Sequence, residues 1–228
     1  MKNRMTALLL TILALLSLTA CGGKAEPAAE PAGDAPLAGG WAITGQTAAA
    51  LPESVQAAFD KAAAGENLVP VALLAQQVVA GTNDMLLCQK GGEYRVIVIY
   101  RDLQGGAALT HDAAFPLADY TQGGGEAPAE LLPGGWYAPE EITALPLPED
   151  AQAAFDKAIS DFDGSTVEPM ALLGTQVVAG TNYAVLCRVT PAAPDAVPST
   201  QVATVYADLQ GGASFTGFRP IDPADFNR

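Results

Sequence analysis

Side chains able to do acid–base, nucleophilic or metal chemistry are scarce in this chain, and those present do not form a set. His111 is the only histidine among 228 residues, and an internal repeat aligns it with Gly217. The cysteines are Cys21, Cys88 and Cys187, with no Cys-x-x-Cys pair, so neither a metal nor another cofactor is expected. The acid pairs Glu140-Glu141 and Asp222 with Asp225 fall in segments that read as surface loops, where solvated carboxylates are the default. Asp161-Phe162-Asp163-Gly164 has the start of a calcium loop without its remaining ligands, and reads as a helix end. No nucleophile–base–orienter combination repeats, which argues against an enzyme. What does repeat is suited to contact. Gln77, Val78, Val79, Ala80 and Gly81 recur as Gln176, Val177, Val178, Ala179 and Gly180, each time followed by Thr-Asn.

The elements that must position this pentapeptide repeat with it. Ala-Ala-Phe-Asp-Lys-Ala precedes it at residues 57–62 and 153–158, Leu-Cys follows at residues 87–88 and 186–187, and Asp-Leu-Gln-Gly-Gly-Ala closes the pattern at residues 102–107 and 208–213. One module is used twice, over residues 39–120 and 134–228, joined by a Gly- and Pro-containing linker at 121–133. Each is large enough to fold alone. Pro52 opens a helix whose apolar face is Val55, Ala58, Phe59 and Ala62; Pro148 opens another with Ala151, Ala154, Phe155 and Ala158. Gly65 and Gly164 supply the stops. Strands over residues 68–79 and 84–88 flank Ala80-Gly81-Thr82-Asn83, which puts the pentapeptide at a hairpin tip. Residues 94–101 read as the next strand, Gln104-Gly105-Gly106 as a turn, and residues 107–111 as the returning strand. Repeat two adds a Pro-rich extension at 191–199. The expected class is α+β: two tandem modules, each one helix packed on an antiparallel sheet of four to five strands. Cys88 and Cys187, one per repeat, are expected as buried apolar side chains rather than as a bridge.

The N-terminus reads as an export signal. Lys2 and Arg4 precede an uncharged apolar run at residues 5–20, shorter than a membrane-spanning helix needs. Leu18-Thr19-Ala20-Cys21 is similar to a bacterial lipobox. Residues 1–20 are therefore expected to be a lipoprotein signal peptide, with Cys21 as the lipidated first residue of a mature chain held outside the cell membrane. Residues 21–38, rich in Ala, Pro and Glu, are expected to be a disordered tether. The chain has 11 Lys and Arg against 25 Asp and Glu, a formal net charge of −14, and losing Lys2 and Arg4 makes it more acidic still. Such a surface repels phosphates, so nucleic acid is excluded as a partner.

Gln-Val-Val-Ala-Gly-Thr-Asn-Tyr at residues 176–183 resembles the first inhibitory hairpin of the cystatins, closest to the stefin branch. Gly39-Gly40 and Gly134-Gly135, each followed by a Pro-Glu helix start, resemble the stefin N-terminal trunk. Residues 68–74 fit the apolar strand that enters the motif, so the resemblance covers nearly all of both modules. It implies inhibition of papain-like cysteine proteases by a wedge of three edges: the glycine trunk, the pentapeptide hairpin and a second hairpin. Gln77, Val78, Val79, Ala80 and Gly81, and Gln176, Val177, Val178, Ala179 and Gly180, would then be protease-binding residues. Gly40 and Gly135 would let the trunk bend, with Trp41 and Trp136 as aromatic anchors. Small apolar residues suit this role because they bring a rigid backbone close to a cleft wall without offering a well-placed scissile bond, and a preordered hairpin loses little entropy on binding. Two departures stand out. The second hairpin holds Leu103-Gln104-Gly105-Gly106 and Leu209-Gln210-Gly211-Gly212 where many cystatins have Pro-Trp, and Asp84 stands where Tyr183 keeps the family tyrosine. That favours repeat two as the better inhibitor. The alternative is a non-inhibitory cystatin-fold module that binds or assembles with another surface partner.

Overall fold

Two central strands of the first repeat are apolar on both faces, and that dictates the architecture. β3 (Gly81–Lys90) is buried continuously from Asp84 to Gln89, and β4 (Glu93–Arg101) from Val96 to Ile99. A strand buried on both sides needs a layer on each face. The helix α1 (Glu53–Ala62) covers one face: Val55, Ala58 and Phe59 pack with Leu73, Leu86, Cys88, Ile97 and Ile99. The other face is covered by the second repeat. Met85, Leu87, Val96 and Val98 share one core with Met170, Leu173, Leu186 and Val202.

The computed structural model describes residues 39–121, 134–140 and 145–226, so the expected signal peptide, Cys21, the tether and most of the linker lie outside the described residues. β1 (Trp41–Thr47), β2 (Val69–Val79), β3, β4 and β5 (Ala107–Ala114) form one antiparallel sheet in chain order. The second sheet holds β6 (Trp136–Tyr137), β7 (Ser165–Val178), β8 (Gly180–Pro191), β9 (Ser199–Ala207) and β10 (Ala213–Pro220), again in chain order. The helix α2 (Glu149–Ile159) lies on its outer face, where Ala151, Ala154 and Phe155 meet Leu172, Val185, Cys187, Ala203 and Val205. Short 3₁₀ turns at Leu117–Tyr120 and Pro223–Phe226 close the repeats, and Phe115, Tyr120 and Phe226 stack across the seam.

The expected α+β class is therefore corrected. Among the described residues the chain is a β-rich, two-sheet fold, half of them in strands, with two five-stranded antiparallel sheets and two α-helices. The physical reason is the doubly apolar strands: a helix of 10 or 11 residues covers one face of its sheet, and the opposite face is satisfied only by the other sheet. A second difference lies at the hairpin tips, where a four-residue turn was expected over residues 80–83. Gly81 adopts φ +138°, which reverses the chain so tightly that Ala80 alone separates β2 from β3, and Thr82 and Asn83 pair with Val78 and Gln77.

Candidate functional site

The sheet register brings three separate segments of each repeat to one end of its sheet. Trp41 pairs with Gln77, so Gly39 and Gly40 lie beside the pentapeptide. Thr82 pairs with Arg101, so the turn between β4 and β5 lies on its other side. In the second repeat Trp136 pairs with Gln176 and Thr181 with Ala207, giving the same order. Each repeat thus presents a narrow edge built from the glycine segment, the hairpin tip and the second turn.

At the tips the valines face outward and the glycines inward. Val78 and Val79 are 41% and 42% exposed, and Val177 and Val178 are 56% and 43% exposed. Gly81 and Gly180 are buried, and a Cβ at either would collide with the carbonyl of Arg101 or Ala207 and with the ring of Tyr100 or Tyr206. Those tyrosines brace the candidate edge, a role their sequence positions alone do not reveal. Tyr100 Oη donates to the Ala80 carbonyl at 2.5 Å, and Tyr206 Oη to the Ala179 carbonyl at 2.5 Å, clamping each tip to the fourth strand of its repeat. Both lie two residues before the repeated Asp-Leu-Gln-Gly-Gly-Ala, a position that repeats without showing what the hydroxyl reaches.

Gln77 and Gln176 act as brackets. Gln77 Nε2 donates to the Gly39 carbonyl (3.0 Å) while its Oε1 accepts from Asn83 Nδ2 (2.7 Å). Gln176 repeats this with Gly134 and Asn182, both at 2.7 Å. The Gly39 and Gly134 amides in turn donate to the Val78 and Val177 carbonyls. The glycine segment is thereby tied to the tip by one side chain and one backbone bond in each repeat. The positive φ falls on Gly39 (+89°) and Gly134 (+95°), one residue before the expected Gly40 and Gly135. Gly40 is exposed and Gly135 buried. Trp136 is buried in the shared core and Trp41 packs against that core, so the indoles belong to the scaffold.

The second turn carries the most exposed large apolar residues of the described chain, Leu103 (80%) and Leu209 (78%). Asp102 Oδ1 accepts from the Gln104 and Gly106 amides at 2.8 and 2.7 Å, and Asp208 Oδ1 does the same for Gln210 and Gly212. Lys61 Nζ, from the last turn of α1, donates to the Gly105 carbonyl at 3.1 Å; Lys157 on α2 donates to Gly211 at 2.7 Å. A leucine held out on a turn fixed from inside is an arrangement for contact.

The repeats differ just behind the edge. Asp84 is fully buried, receives Gln76 Nε2 at 2.7 Å and forms a two-point ion pair with Arg101, whose Nη2 lies 3.0 Å from Oδ1. Repeat two has Tyr183 and Ala207 at these places. Tyr183 packs against the α2 core and lines a groove of about 330 Å³ between α2, Gly180 and Leu209. Burial, with Asp150 nearby, raises its phenol above the ordinary range.

Cys88 and Cys187 are free, buried and in different cores, and burial pushes both thiols well above their ordinary 9.0. His111 lines a cleft of about 650 Å³ at the seam with Asp119, Arg219 and Asp225. Tyr120 bonds Asp225 there, and burial first, then the surrounding aspartates, push its phenol up to about 12. Glu140 is exposed, and Glu141 lies outside the described residues. Among the described residues no helix is long and apolar enough to cross a membrane, and no cluster of His, Cys, Asp and Glu could hold a metal ion. No protein-family model matches this chain, and no curated protein is significantly similar to it.

Proposed function

We propose that this chain inhibits papain-like cysteine proteases by reversible occlusion of the active-site cleft, anchored outside the cell membrane through lipid on Cys21. What supports the reading most is the edge itself: Gly39 with Gly40, Val78 with Val79, and Leu103 share one sheet end, and their counterparts share another. Each edge offers apolar side chains on a backbone already fixed by Tyr100 or Tyr206, Gln77 or Gln176, and Asp102 or Asp208. Apolar area buried in a cleft then contributes to affinity with little ordering cost. A clamped tip also resists the deformation that would bring one of its peptide bonds into position for attack, so the inhibitor is released intact.

The test is a titration of an active-site-counted papain-like protease with the chain from residue 21 onward carrying Cys21→Ser. Stoichiometric, reversible loss of activity without cleavage of the chain is expected. Val177→Asp with Val178→Asp, in a chain whose first edge carries the same changes, should weaken binding about 100-fold or more, because a carboxylate would lose its water in an apolar contact. Undiminished inhibition by that folded variant would remove the hairpins from the mechanism.

A further inference from the structure

Across the seam, the end of each sheet remote from its tip packs against the middle of the other sheet, and the shared core continues tipward as far as Trp41 and Trp136. Tyr94 Oη donates to the Leu172 carbonyl at 2.7 Å and Gln89 Nε2 to the Pro139 carbonyl at 2.6 Å. Gln89 and Tyr94 pair with each other at the far end of β3 and β4. The reciprocal contact has the same form: Gly45 lies against Thr200 and Arg188, which pair at the far end of β8 and β9. Phe115, Tyr120 and Phe226, which stack across the seam, also follow the ends of β5 and β10 that point away from the second turns. From Gly81 to Gln89, or from Gly180 to Arg188, the strand runs about 25 Å at roughly 3.3 Å per residue. Each tip therefore projects beyond the far-end contacts of its own sheet, and its valines are exposed. Edge one draws on residues of the first repeat alone and edge two on residues of the second. The shared core fixes the spacing between them.

We infer that one chain holds two papain-like proteases at once, one on each edge, as a rigid bivalent bridge. This rests on the proposed inhibitor reading and extends it to the partner's stoichiometry. Because the two sites share no residue, occupation of one leaves the other's side chains in place, so the two bind without cooperativity. On a surface where proteases cluster, a rigid spacing turns the second binding event into an intramolecular one and raises the apparent affinity without any new contact.

The experiment is mass measurement in solution of the Cys21→Ser chain from residue 21 with a saturating papain-like protease, alongside Val78→Asp/Val79→Asp and Val177→Asp/Val178→Asp variants whose folding is checked by thermal unfolding. The expected result is one chain with two proteases for the parent and one chain with one protease for each variant. A parent that saturates at one protease overturns the bivalent bridge while leaving the inhibitor reading intact. In that case, loss of all binding in one variant marks a single working edge, and one protease on either variant marks edges that obstruct each other. A folded parent that binds no protease overturns both.

Discussion

Gly81 and Gly180 set the shape of each tip, and their replacement is the sharpest single-residue test of the edge geometry. Either Gly→Ala change places a Cβ against a backbone carbonyl at a positive φ, so the hairpin must open. Denaturant unfolding should show a loss of about 1–3 kcal/mol, accompanied by weaker protease inhibition through that edge. Tyr100→Phe and Tyr206→Phe remove one hydrogen bond to the tip and should cost about 1 kcal/mol each, with faster amide exchange at Ala80 or Ala179. Asp84 is a different kind of residue. It is buried and held by Arg101, so Arg101→Met should destabilise the first repeat by about 3 kcal/mol, whereas Asp84→Asn with Arg101→Met together should recover much of the loss. The pentapeptide and its place at a tip were legible in the sequence because small residues ending in glycine, bounded by β-prone runs, have few other homes. The tyrosine clamp was not, since a Tyr at a strand end reads as ordinary β composition until the register places its hydroxyl over the tip carbonyl.

Among the elements, the doubly buried strands decide both the fold and its response to pH. Runs such as Met85-Leu86-Leu87-Cys88 and Val96-Ile97-Val98-Ile99 announce a strand covered on both faces. The helix stripe Val55, Ala58, Phe59 accounts for one cover only. The second cover is another sheet more than 70 residues away in the chain (Tyr94 to Leu172 spans 78), and periodicity within one repeat carries no information about it. Hence the helices and the strand order were readable, and the two-sheet class was not. The same burial keeps Cys88, Cys187 and Tyr94 neutral, making them weaker acids with pKa values above the ordinary 9.0 and 10.0. In the unfolded chain these groups ionise at their ordinary values, so the stability they contribute is complete below about pH 9 and declines as pH rises beyond it. Urea midpoints should be flat between pH 7 and 8.5 and fall by pH 10.5, and both thiols should stay unreactive toward an aromatic disulfide until the chain unfolds. Fast labelling of the native chain at pH 8 would contradict the buried placement.

At the scale of the whole molecule, the shared core makes the repeats one cooperative object. Trp136, Tyr94 and the stack of Phe115, Tyr120 and Phe226 tie the sheets together, so thermal unfolding is expected as a single transition in which both repeats lose structure together. Trp136→Ala, a large-to-small change at 3% exposure, should lower the stability of the whole by about 3–5 kcal/mol rather than that of the second repeat alone. Two separate transitions would show that the seam is incidental. Whether the two edges close the active-site cleft of papain-like cysteine proteases, as proposed, is decided by the inhibition titration of the Cys21→Ser chain from residue 21. Stoichiometric, reversible inhibition with the chain recovered uncut is expected. A folded chain that leaves such a protease fully active at saturating concentration would refute the proposal.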